Sequence, residues 1–170
     1  FAARAPETAR AALATAESGP LRNSVRAKLV VLRGRLREAA GARDSARADY
    51  RRATELAPGT DGAALAYAAL ARLALREAAT LDDLGEIRAS LARATPTGAG
   101  RGFLEARALA TAVDRLRQLA EAGDVAVLRA AEVARDELGA PLLARALFLR
   151  FADEFPNAVW APKAILAALA

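Results

Sequence analysis

Two stretches of this chain share one spelling, and it leaves little choice of fold. Gly41 is followed by Ala46, Tyr50, Ala53 and Pro58, and Gly139 is followed at the same offsets by Ala144, Phe148, Phe151 and Pro156. The steps from small residue to aromatic to the third position are four and three residues. That spacing is one face of an α-helix. A helix that opens just after a glycine, packs through a small-then-aromatic face and stops at proline is one arm of a helical hairpin. The small residues let a second helix come close, and the ring fills what they leave open.

The rest of the chain supports helices throughout. Of 170 residues, 49 are alanine and only eight are aromatic. Alanine is the best helix former because its side chain loses no rotamer freedom. A core made of it should be thin and close-packed, without a deep aromatic centre. β-branched residues are too scattered for a sheet. Breakers at Gly19-Pro20, Gly41, Pro58-Gly59, Thr80, 95–98, Gly123, Gly139-Ala140-Pro141 and Pro156-Asn157 divide the chain. Helices are expected over 6–18, 21–40, 43–57, 61–79, 81–94, 101–122, 124–138, 141–155 and 158–169. Asp61, Asp124 and Asn157 stand where N-cap acceptors belong. Turns this short make consecutive helices antiparallel neighbours. The fold class is all-α.

The segment 27–60 resembles the tetratricopeptide repeat, a unit of about 34 residues. Small Gly34 lies in its first arm, and Gly41, Ala46, Tyr50, Ala53 and Pro58 follow in the family's order. It departs from the pattern in its first arm, where Val30 and Arg37 replace the usual aromatics. The segment 125–158 resembles a second repeat, with Glu132 and Phe151 in place of small residues. Between them, 61–94 is a looser hairpin. The stretch 101–122 fits neither register and is expected to be an extra helix after a break at 95–102. The tail FADEFPNAVWAPKAILAALA is similar to repeats of bacterial envelope proteins, such as outer-membrane assembly lipoproteins and Tol–Pal coordinators. The resemblance implies a single α-α superhelix over 1–170, a noncatalytic scaffold for a protein or peptide, and a periplasmic or other extracytoplasmic location, with the cytoplasm as alternative. First arms line the family's groove. Lys28, Val31, Arg35 and Glu38 would face it, followed by Leu65, Ala69, Arg72 and Arg129. The partner-binding candidates are Lys28, Arg35, Arg72 and Arg129. Val31 stands at a position of the two-carboxylate clamp found in chaperone-binding members, so that function is not carried over.

Charge gives the partner its expected chemistry. Residues 22–52 hold ten basic side chains against Glu38, Asp44 and Asp49, a net +7 in a chain of net +5. Arginine supplies 23 of the 25 basic residues. The Ala and Arg bias fits GC-rich coding and accounts for part of this. Arg43, Arg47 and Arg51 form an i, i+4, i+8 stripe, and Arg22, Arg26, Arg33 and Arg37 fall near one face of the preceding helix. The plain reading is a solvated face with pairs such as Arg51–Glu55 and Asp49–Arg52. The functional reading is recognition of an acidic protein segment. Nucleic acid is the weakest partner, because stacking aromatics are scarce.

Nothing in the residues points to catalysis. The chain has no His, Cys or Met. The commonest general base and the thiolate and imidazole metal ligands are therefore missing. No cofactor, metal or small-molecule substrate is expected. Asp82-Asp83 follow Thr80 at a helix start and read as caps. Asp153-Glu154 should pair with Arg150. GAGRG at 98–102 lacks a preceding strand and a Lys-Ser/Thr ending, so it is a linker rather than a phosphate loop. No run reaches the roughly 18 apolar residues of a membrane span. Lacking an initial Met, the chain is expected to be part of a longer one. Phe148, Phe151, Phe155 and Trp160 are expected in the core, or else at an open end of the array, because helix 158–169 has no second arm. The alternative function is a structural subunit of a larger envelope assembly.

Overall fold

The computed structural model describes residues 4–94, 98–123 and 125–169. Among these, all regular structure is helical and no strand occurs. The helices are α1 (Arg4–Glu17), α2 (Asn23–Ala39), α3 (Arg43–Leu56), α4 (Asp61–Glu77), α5 (Asp83–Ala92), α6 (Arg101–Glu121), α7 (Val125–Glu132), α8 (Pro141–Glu154) and α9 (Ala161–Leu169). Each expected stretch carries a helix, with ends displaced by a few residues. Helix α7 continues into a π-helical turn, Val133–Glu137, where the Leu138 N–H reaches back five residues to the Val133 carbonyl. The break at 95–102 falls partly outside the described residues.

The two glycines of the shared spelling do one job. Gly41 has φ of 81° and Gly139 of 59°, in the left-handed region that side chains with a Cβ avoid. After α2, Gly41 lets the Ala42 N–H bond the Arg37 carbonyl at 2.9 Å while its own N–H bonds Glu38. This pattern closes the last carbonyls of the helix and reverses the chain.

The chain forms two compact units. One comprises Phe1–Leu70 and Arg93–Arg107, the other Ala71–Ala92 and Ala108–Ala170. The boundaries run inside α4 and α6. In the first unit α2 packs on α1 and α3; in the second α8 packs on α7 and α9. Only residues 40–42 separate the packed helices α2 and α3, and a turn that short makes the arms antiparallel. Between them Glu38 meets Tyr50, Arg37 and Arg33 meet Asp49, and Gly34 meets the Tyr50 ring.

The inward faces follow the spelling. Ala46, Tyr50 and Ala53 are fully buried, and so are Ala144, Phe148 and Phe151 to within 2%. A Cβ built on Gly34 would lie 2.5 Å from Tyr50 Cε1. Glycine there is a matter of space, since only a bare backbone lets the ring lie flat on α2. The buried residues of the first unit are mostly alanine, with Val30, Val31 and Tyr50 the bulkier exceptions on α2 and α3. The second unit buries larger groups, among them Leu84, Leu116, Leu143 and Phe151.

Candidate partner-binding surface

The α2–α3 hairpin carries both the core and the charge. On α3 the inward face reads Ala46, Asp49, Tyr50, Ala53, and Asp49 is 3% exposed. A carboxylate on such a face needs cations and hydrogen bonds, because desolvation otherwise outweighs everything it gains. Helix α2 supplies them. Arg33 donates through Nη2 to Oδ1 at 2.8 Å and through Nε to Oδ2 at 3.1 Å, and Arg37 donates to Oδ2 at 2.8 Å. Asp49 therefore does not pair along α3 with Arg52. Beside it the Tyr50 hydroxyl donates to Glu38 at 2.8 Å. Burial, then this bond to a carboxylate, pushes the phenol pKa far above its ordinary value.

A second junction ties three helices of the same unit. Asp61 opens α4 but is not its cap; the Thr60 hydroxyl accepts from the Ala63 N–H in that role. The Asp61 carboxylate turns outward from its own helix. It accepts the Gly102 N–H at 2.6 Å and faces Lys28 Nζ at 2.9 Å. Thus the positive end of α6 and a cation from α2 share one anion. Burial raises the carboxyl pKa, but the Lys28 bond and the Gly102 and Phe103 N–H groups outweigh it and hold it below the usual range. Gly100 and Gly102 pack against Asp61, with Leu65 also beside Gly102. GAGRG is a close-packed helix start, filled by this chain's own carboxylate.

In each of the other two acidic pairs one carboxylate is engaged within the fold, Asp83 and Glu154. Asp83 accepts the Ala79 and Thr80 N–H groups at 2.9 and 2.8 Å, while its own N–H faces the Thr80 hydroxyl at 3.4 Å. That is a capping box. The N–H bonds hold the Asp83 pKa down. Glu154 takes Arg150 at 2.8 Å, one turn away. Asn157 lies in the turn before α9, which begins only at Ala161, and Asp124 lies outside the described residues. The part of α6 from Ala108 onward, in a helix that fits neither repeat register, is held within the second unit by Asp114 to Arg88 at 2.9 Å, Arg115 to Glu137, and the Ala120 carbonyl to Arg150 at 3.3 Å.

The four candidates fall in different surroundings. Lys28 is half-exposed and engaged by Asp61; Arg35 stands 3.8 Å from Glu105. Arg72 is partly buried and has a partner, and Arg129 is exposed. Lys28 and Arg35 belong to the first unit, Arg72 and Arg129 to the second. Val31 is 1% exposed and packs inward. The side chains left open on the first unit are others: Arg22, Arg43, Arg51 and Arg52 are exposed. The sequence reading missed the internal use of Arg33 and Arg37. Its signal was present, since Asp49 stands at i+3 from Ala46 and beside Tyr50, a charge on an inward face. Trp160 also departs from the core expectation. It is 45% exposed, with Lys163 Nζ 4.5 Å from its ring centroid. Phe148 and Phe151 are core, and Phe155 is half-buried against Phe151 at 5.6 Å between centroids.

Among the described residues no cluster of His, Cys, Asp or Glu suited to a metal occurs, and no helix is long and apolar enough to cross a membrane. Compared with known proteins, the chain matches no family model, no curated protein and no solved structure.

Proposed function

We propose that this chain is a noncatalytic scaffold of the tetratricopeptide-like kind, a stack of helical hairpins that holds an acidic protein or peptide on its first unit. One observation carries the reading. The first unit has 15 basic against 8 acidic residues, +7, and the second has 10 against 12, −2. Within the first unit Asp49, Asp61 and Glu105 already serve Arg33, Arg37, Lys28 and Arg35. Among the described side chains left, Arg22, Arg43, Arg51, Arg52 and Arg93 are exposed, with Glu7, Asp44 and Glu55 the exposed acids among them, so the surface here keeps a positive excess. An acidic partner would be steered by that field and bound more weakly as salt rises. The spelling of the tail supports an extracytoplasmic setting for the scaffold.

The test is capture from the native source by the wild type and by the double variant Arg43→Glu/Arg51→Glu. Both positions are exposed, so the fold should survive. The wild type should retain partners that the variant loses and that salt elutes. Equal recovery would favour a second reading, a structural subunit of a larger assembly. The exposed apolar side chains Val159, Leu166 and Leu169 support that reading.

A further inference from the structure

The two cations of α2 that the repeat resemblance places in a partner groove are both engaged by this chain's own carboxylates. Lys28 meets Asp61 at 2.9 Å, and Arg35 stands 3.8 Å from Glu105. Gly62 lets α4 come close to Ala27 and Lys28 of α2. Against these two helices lie residues 100–107, the opening of α6, which belong to the first unit. Gly102 gives its N–H to Asp61 at 2.6 Å. It lies so near the Asp61 carbonyl and the Leu65 backbone that a Cβ there would collide with both. Three residues on, the Glu105 side chain is only 18% exposed beside Arg35.

What holds this segment to α2 and α4 is mostly polar. Its buried residues are Gly102 and Ala106, whose side chains have no carbon and one carbon to bury, whereas Leu104 is 56% exposed. A segment with so little buried apolar surface belongs to the low end of local stability. At 3.8 Å the Arg35–Glu105 pair is looser than a hydrogen bond, and a part-exposed pair of that kind is weak.

We propose that the face of α2 and α4 bearing Lys28 and Arg35 is a binding surface for an acidic segment, and that residues 100–107 occupy it in cis as a displaceable stand-in. Glu105 offers Arg35 the carboxylate that a partner would offer, so segment and partner compete for one cation. The ligand rests on the acidic-partner reading above; the cis contact does not. The face is open only in the fraction of molecules whose segment has moved off, and its apparent affinity is reduced by that fraction. Arg43 and Arg51 are exposed in either state and attract the partner independently of the segment.

Hydrogen exchange of the 170-residue chain, read by mass spectrometry, follows the segment directly. Amides of 102–107 should exchange about ten-fold or more faster than those of 46–53 in α3. Glu105→Gln should quicken them by a further factor of about three, with 46–53 unchanged as the control for folding. Arg101→Gln removes only a pair within the segment and should not quicken them. The probe for the face is a short fluorescent poly-L-glutamate. Glu105→Gln should bind it about three- to ten-fold more tightly than the wild type, through a larger open fraction. Glu55→Gln makes the same change of charge at an exposed site on α3 and should gain less than about two-fold. Arg35→Ala added to Glu105→Gln should cancel the gain. Equal affinity of wild type and Glu105→Gln, an equal gain from Glu55→Gln, or a gain that survives Arg35→Ala overturns the proposal and leaves the acidic-partner reading standing. So does exchange at 102–107 as slow as at 46–53. Binding by neither wild type nor variant overturns the acidic-partner reading and the gated face with it.

Discussion

At the scale of single residues, the first hairpin rests on one ring and one carboxylate. Tyr50 lies flat on Gly34 and is fully buried. Tyr50→Ala should cost about 3–5 kcal/mol as a cavity in a close-packed layer. Gly34→Ala should cost about 1–3 kcal/mol in the wild type, because its Cβ meets the ring. In the Tyr50→Ala background the same change should be neutral or stabilising by roughly 0.5–1 kcal/mol, the ordinary gain over glycine inside a helix. A double-mutant cycle by urea denaturation reads this coupling; additive costs would mean that the ring and the glycine do not touch. Ala46→Leu, inward on the same face, should lose about 1–3 kcal/mol by overpacking. Asp49 makes a second cycle. Arg33→Ala/Arg37→Ala leaves the carboxylate buried and alone, at about 3–5 kcal/mol. Adding Asp49→Leu should recover much of that loss, because an uncharged side chain needs no partner.

At the scale of elements, helix ends are joined by side chains from other elements. The N-terminus of α6 is satisfied by Asp61 of α4, helped by Lys28 of α2. The Asp61 carboxyl is more acidic folded than unfolded, where 3.8 is the ordinary value. Between the two values the unfolded chain binds more protons, so stability rises with pH through that window. The contribution is complete above about pH 4 and is lost as the pH falls through the folded value. Asp61→Asn keeps an acceptor for the Gly102 N–H but has no charge to titrate. Its unfolding free energy between about pH 2 and 5 should fall less steeply than that of the wild type; parallel curves would show that Asp61 takes no part. The capping box of α5 is a separate test, with Thr80→Ala expected to cost about 0.5–2 kcal/mol in thermal or chemical unfolding.

At the scale of the molecule, charge is unevenly shared: the first unit has 15 basic against 8 acidic residues and the second 10 against 12. Capture of an acidic partner should decline from about 50 to 500 mM salt, where the screening length shortens from roughly 14 to 4 Å. Equal recovery of the same partners at both salt concentrations would show that the charged surface does not hold them.

The sequence by itself determined the helices and their order, because alanine, the glycine-proline breakers and the i, i+4, i+7 spelling act within a few residues of one another. It also determined which face of α3 and α8 turns inward, and Ala46, Tyr50, Phe148 and Phe151 are buried there. The fate of the charges was not local. Arg33 and Arg37 read as members of a basic stripe, and only the approach of α3 delivered Asp49 to them. Asp61 read as a cap for its own helix, and only the arrival of 101–103 made it the anion for another. Trp160 read as core because its type favours burial; in the folded chain it lies in the turn before α9, half-exposed, with the Lys163 ammonium over its ring. Local spacing fixes which way a side chain points along its helix. Which partner it meets depends on a segment tens of residues away, and that distance is closed only by the tertiary fold.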